Sequence, residues 1–196
     1  MRKLNLAVKR ILDFLLTLVG TVIISPIMLV IAVLIKASSD GPVLFRQERL
    51  GYHGKVFKIL KFRTMVVNAE NMGDGVRINE KNDPRITKIG RFLRATSLDE
   101  LPQVINVLKG DMALVGPRPP VTYHPYPGYE NYPDWAKKRF EMRPGMTGLV
   151  QTTIRSDAPW DERIKIDCEY VDRFSVLFDI KILFDTVKTV IKGEDY

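Results

Sequence analysis

Histidine and cysteine are nearly absent from these 196 residues: His53, His124 and a single thiol, Cys168. One thiol excludes an internal disulfide, so nothing marks the chain as built for an oxidising compartment. The three residues together are too few for an ordinary zinc site. No repeat or low-complexity tract occurs. Charge is also missing, for 22 residues, from Phe14 to Ile35. Elsewhere it is lopsided: 30 Lys and Arg against 23 Asp and Glu, a formal net charge of +7. Such a balance favours an acidic partner, whether nucleic acid, anionic lipid or a phosphorylated small molecule. No nucleic-acid motif accompanies it, so no nucleic-acid partner is expected.

The uncharged run FLLTLVGTVIISPIMLVIAVLI would make a helix of about 33 Å, enough to cross a hydrocarbon core of about 30 Å. No small-residue cleavage site follows it, so it does not read as a signal peptide. A spanning helix with Arg2, Lys3, Lys9 and Arg10 inside would export the remaining 26 basic residues. Pro26 lies near the middle of the run and frees the Val22 carbonyl, to which Ser25 is placed to bond back. That pair is a candidate kink, with arms of roughly 18 and 14 Å, about one leaflet each. From the residues alone, a re-entrant hairpin and a spanning helix stand even.

Val43 to Met65 alternates as two short strands around a Gly51–Gly54 turn. Asn68 to Asn82 is polar and Gly-containing, a loop suited to act as a lid. Asp83-Pro84 reads as N-cap and first turn of a helix carrying Arg85, Lys88, Arg91 and Arg94 every third residue. Such a stripe is a solvated face, a surface for anionic headgroups, or the source of one guanidinium for a phosphate.

The stretch TSLDELPQ sets Asp99 and Glu100 side by side. Leu101, Val104, Ile105 and Leu108 follow at helical spacing, and Gly110 is a natural stop. Ser97-x-x-Glu100 fits a capping box, but it would put Pro102 where an N–H is needed. Asp99 as cap puts that proline where none is needed and sets the carboxylate at the positive end of a helix. Capping accounts for one carboxylate and not for its neighbour.

Pro117-Arg118-Pro119-Pro120 is a rigid segment presenting one guanidinium. TYHPYPGYENYPDW is either a stacking loop for a sugar or base, or a packed one. Arg143 heads a Gly-bracketed turn, RPGMTG. Helices are expected from Pro159 to about Phe174 and from Ser175 to Lys192. On the second, Leu177, Ile180, Phe184, Val187 and Ile191 share a face, by default a core face and otherwise a bilayer-resting one.

KFRTM (Lys61–Met65), SLDELPQ, NVLKGDM, VGPRP and RPGMTGL, in this order and spacing, resemble the bacterial sugar transferases. These are the monotopic phosphoglycosyl transferases that begin assembly of polyprenol-linked glycans. The resemblance runs from about Lys9 to Gly193 and is to the minimal, single-domain form. It implies an α+β fold: a re-entrant membrane helix broken at Ser25-Pro26 (residues 1–37), then a small mixed catalytic domain (38–196). That domain would carry a short β-hairpin and several amphipathic interfacial helices. It would face the cytoplasm from the bacterial inner membrane.

The implied reaction moves a sugar-1-phosphate from a UDP-sugar to polyprenyl phosphate and releases UMP, through a covalent glycosyl-phospho-aspartate. Matched residue by residue, Asp99 is the nucleophile, Glu100 the adjacent carboxylate associated with Mg²⁺, and Arg94 a phosphate contact. Pro117, Arg118 and Pro119, with Lys61, Arg63 and Arg143 of the shared motifs, fall to the nucleotide-sugar. Val150 stands before Gln151 where relatives often have Trp or Ala, and Thr152–Asp157 lacks the Asn-Gly of some. Both departures leave the donor sugar open, as the oligomeric state is. The competing reading is a non-catalytic membrane-surface adaptor that binds anionic lipid.

Overall fold

A computed structural model describes residues 2–69, 72, 83–154 and 158–192. The expected lid, Asn68 to Asn82, lies outside these apart from Asn68, Ala69 and Met72.

The uncharged run lies inside one helix, α1 (Arg2–Ser38), that contains Pro26. It is long and apolar enough to cross a membrane. The Ser25 hydroxyl donates to the Val22 carbonyl at 2.9 Å, so the acceptor that proline orphans is satisfied locally. One stripe of α1 faces protein, most fully near its two ends. Lys9, Asp13, Thr17, Ile31 and Ile35 are buried, with half-buried Leu6, Arg10, Ile24 and Met28 filling the intervals. The other faces expose Leu15, Val19, Val22, Ile23, Leu29, Val30 and Val33.

β1 (Leu44–Leu50) and β2 (Val56–Phe62) pair antiparallel from Leu44↔Phe62 to Leu50↔Val56. Gly54 closes their turn at φ +73° against the Tyr129 ring, where a side chain would be both strained and obstructed. After α2 (Lys88–Ala95) and α3 (Gln103–Lys109), Gly110 ends α3 at φ +93° as expected. β3 (Ala113–Val115) and β4 (Gly145–Thr147) form a parallel pair. The start of the VGPRP segment and the RPGMTG turn therefore meet. A Cβ on Gly145 would lie 2.1 Å from the Gly116 nitrogen, so these backbones touch only because both residues are glycine. The short α4 (Asp134–Lys137) and α5 (Leu149–Thr153) precede the long helices α6 (Trp160–Arg173) and α7 (Val176–Lys192).

The domain grips both ends of α1. Near the N-terminus, Lys9 lies 2.6 Å from Asp179 on α7 and 3.2 Å from Asp13. Arg10 donates to the Val107 and Leu108 carbonyls at the end of α3, where acceptors lack helical partners and a cation suits the dipole. Leu6 packs on the cluster of Val115, Met142 and Tyr170. Near the other end, Ile31 and Ile35 pack with Phe62 and Leu93.

Three expectations are corrected. Asp83 does not open a helix: α2 begins at Lys88 with Thr87 as cap, its hydroxyl accepting from Gly90 N at 3.0 Å. Asp83 instead pairs with buried Arg85 at 2.7 Å, which removes Arg85 from the basic stripe. Neither Ser97 nor Asp99 caps α3. Ser97 adopts a left-handed φ of 54°, Leu98–Glu100 form a 3-10 turn, and Pro102 itself precedes the first helical residue. On α7 the expected default is reversed. Leu177, Ile180, Phe184 and Val187 are exposed, at 79, 43, 65 and 56%, while Phe178, Ile182 and Leu183 face the core. The Tyr-rich loop is a packed one: Tyr132 is buried against the rings of Tyr126 and Phe140.

Candidate active site

Adjacent residues of a 3-10 turn diverge by about 120°, so Asp99 and Glu100 need a third group to share one place. Lys61, next to last on β2, supplies it: its Nζ lies 2.5 Å from Glu100 Oε1 and 3.8 Å from Asp99 Oδ2. The turn is held to the strand by buried Asn106 on α3. Its amide accepts from Leu60 N at 3.0 Å and donates to Lys58 O at 2.9 Å, zipping helix to strand just before Lys61.

The two carboxylates have different surroundings. Burial pushes Asp99 above the ordinary carboxylate range, with the Glu100 charge adding to it, and Lys61 and Arg94 offset only part. Burial acts on Glu100 too, but there the Lys61 and Arg118 charges, with hydrogen bonds from Lys61 and Gln103, outweigh it and hold the group at about 2. One neighbour is poised and the other firmly ionised.

Arg118 reaches Glu100 at 3.7 Å. Its carbonyl accepts from buried Arg139 at 2.7 Å, and Arg139 pairs with buried Asp167 at 2.5 Å. On the other side of the turn Arg94, in the last turn of α2, donates through Nε to the Thr64 hydroxyl at 2.8 Å. Asp99 and Arg94 share a cavity of about 1090 Å³ with the hairpin. Among the described residues its wall carries Arg46, Arg49, Lys61, Arg63 and Arg94 against Asp99 as the lone acid, together with apolar Val43, Phe45 and Val67. Such a space accepts a multiply anionic ligand with an apolar portion.

Asp99, Glu100, Lys61 and Arg118 thus meet at the turn, and Arg94 lines the cavity with Asp99. Pro117 and Pro119 hold the Arg118 segment by their carbonyls, which accept from Gly145 N and from Arg49, each at 3.0 Å. Arg63 and Arg143 are otherwise engaged. The Arg63 guanidinium ties the Ser39 and Asp40 carbonyls beyond α1, although the residue lines the cavity. Arg143 donates to Gly110 O at 2.9 Å and covers the Tyr52 ring, at the opposite end of α3 from the carboxylates.

Arg49, Thr64, Gln103 and Asn106 are additions to the expected set. Arg49 had a legible signal: residues 45, 47 and 49 of β1 share a face with Lys61, the partner of Phe45. Burial and neighbouring Arg118 bring Arg49 down to about 10, as expected where cations are crowded to receive an anion.

The family model described as Bacterial sugar transferase matches residues 4–193. The chain belongs to this family. Among curated relatives, the galactosyl transferase CpsE of Streptococcus agalactiae is 41% identical over 96% of this chain and 43% of its own length. The UDP-glucose:undecaprenyl-phosphate glucose-1-phosphate transferase of Caulobacter vibrioides is 42% identical over 95% of this chain and 71% of its own. The exopolysaccharide production protein PSS of Rhizobium leguminosarum is 43% identical over 94% and 95%. The chain thus spans about two fifths of the length of CpsE and nearly all of PSS. In this bacterial sugar transferase, then, three of the shared motifs, KFRTM, SLDELPQ and VGPRP, meet at one turn through Lys61, the two carboxylates and Arg118.

Proposed function

We propose that this sugar transferase moves a sugar-1-phosphate from a UDP-sugar to polyprenyl phosphate through a covalent intermediate on Asp99. An Asp99 oxygen attacks the sugar-linked phosphorus, and the bond to the bridging oxygen breaks so that UMP leaves with the electron pair. An oxygen of polyprenyl phosphate then attacks the same phosphorus and the bond to Asp99 breaks, returning the carboxylate. The observation that carries this reading is the contrast between neighbours: a half-buried Asp99, raised by desolvation, beside an ion-paired Glu100, on the wall of a cationic cavity. A raised carboxylate is the better nucleophile, and the flanking cations oppose repulsion between it and the diphosphate.

Lys61 and Arg118 keep Glu100 ionised, Arg94 takes phosphate, and the Arg49 bond to Pro119 holds the Arg118 segment in place. Magnesium fits this donor set: it is bound through one or two carboxylates plus phosphate oxygens and water, and Glu100, beside Asp99, is the residue to hold it. When bound it supplies charge neutralisation at the diphosphate.

The membrane reading is a re-entrant helix turning at Ser25-Pro26, with the domain on the cytoplasmic face. Its support is that both ends of α1 pack on one domain, whereas the ends of a spanning helix lie on opposite sides of the bilayer. The exposed stripe of α7 suits an interfacial helix beside it.

The test is UMP release from purified full chain with Mg²⁺ and undecaprenyl phosphate, using first UDP-glucose and UDP-galactose, the sugars in its relatives' names. Release by wild type and none by Asp99→Asn is expected. Equal release by the variant removes the nucleophile. Membrane binding without release from any UDP-sugar favours the adaptor.

A further inference from the structure

An arginine binds phosphate at low entropic cost when its planar fork is aimed before the ligand arrives. Arg94 has such a constraint. We propose that Thr64 is the positioning residue for Arg94, its hydroxyl and carbonyl together fixing where that guanidinium points in the cavity. The proposal rests on the phosphate role given to Arg94 above.

Thr64 is buried, two residues past the end of β2. Its carbonyl accepts from Thr87 N at 3.0 Å and from the Thr87 hydroxyl at 3.3 Å, which seats the cap of α2 on it. One turn later the helix backbone comes so close that a Cβ on Gly90 would lie 2.0 Å from the same carbonyl oxygen. One further turn on, Arg94 Nε donates to the Thr64 hydroxyl at 2.8 Å. A single residue thus contacts the first turn, the middle and the last turn of an eight-residue helix. A short helix has little intrinsic stability, so its orientation is set by this contact and by burial of Leu93. With Nε held, the two terminal nitrogens of Arg94 have no hydrogen bond to a described residue, and Arg94 lines the cavity that contains Asp99. Two parallel N–H groups are what a phosphate takes from a guanidinium.

The experiment compares Thr64→Val, which keeps shape and loses the acceptor, with Thr64→Ser, which keeps the hydroxyl, each in wild-type and Arg94→Ala backgrounds. Thr64→Val is expected to raise KM for undecaprenyl phosphate about tenfold, the usual worth of one hydrogen bond to a charged group. Its burst of UMP in the absence of acceptor should fall less. Serine should restore KM, and valine should add nothing once Arg94 is alanine. Serine as damaging as valine, or equal losses in both backgrounds, would reduce Thr64 to a structural residue. Hydrogen exchange at Arg94 Nε–H, read by NMR in detergent micelles, tests the geometry without turnover. Slow exchange in wild type and fast in Thr64→Val supports it, and equal rates overturn it. If Arg94→Ala alone leaves acceptor use intact, the phosphate role of Arg94 fails while the exchange result still judges Thr64.

Discussion

Lys61 touches both carboxylates of the turn, yet they respond in opposite senses because only Glu100 also has Arg118 and Gln103. Opposite stability effects follow. A group raised by burial costs stability when ionised, so Asp99 is a cost at neutral pH that disappears once acid protonates it in both states. Asp99→Asn should therefore unfold at the wild-type temperature or above it, while losing turnover. Glu100 is lowered, so its contribution is complete above its ordinary value of 4.5 and is lost as pH falls toward about 2. Glu100→Gln should accordingly lower the unfolding temperature at pH 7, and thermal melts of the two variants side by side check the contrast. The same environment sets the acid limb of activity. kcat/KM should fall on acidification through the Asp99 value, above the ordinary 3.8 of an aspartate, and a limb at or below 3.8 would refute the burial of the nucleophile. The adjacency of Asp99 and Glu100 was legible in the residues. Their unlike surroundings were not, because Lys61 is 38 residues away and Arg118 arrives from another segment.

Among the elements, those that local chemistry determines came out as read: the hairpin, the Gly110 stop, α6, and the extent of α7. The misreadings share a cause. Asp83 and Ser97 have capping chemistry, but Asp83 found Arg85, and Ser97 was needed at positive φ to turn the chain. A helix start depends on what else competes for the capping side chain. The α7 stripe was legible as a stripe, yet periodicity names a face without saying what covers it. Because Leu177 and Phe184 are exposed beside α1, replacing both with serine should leave the thermal melt unchanged and weaken sedimentation with anionic vesicles. A lower melting temperature would restore the core assignment.

At the scale of the molecule, a 37-residue helix is embraced at both ends by the domain that follows it. Single cysteines at Asn5 and Ala37, in a chain made cysteine-free by Cys168→Ser, should react with an impermeant thiol reagent from the same side of sealed vesicles. Reaction from opposite sides would establish a spanning helix. Pro26→Leu should shift the balance toward that second pattern, since it restores the N–H that proline removes.

The linear order of residues by itself determined the uncharged run, the basic excess, the hairpin and the motif set that marks the family. Each is a property of composition or of spacing within one element, and such properties survive without a partner. Tertiary structure alone decided which cations reach Asp99 and Glu100, which arginines serve as ties instead, and which face of α7 is bare. It also decided that both ends of α1 rest on one surface. Those outcomes depend on groups far apart in the chain competing for the same hydrogen bonds and the same buried space. The hydroxyl of Thr64 or the guanidinium of Arg63 acquires its role only from what folds against it.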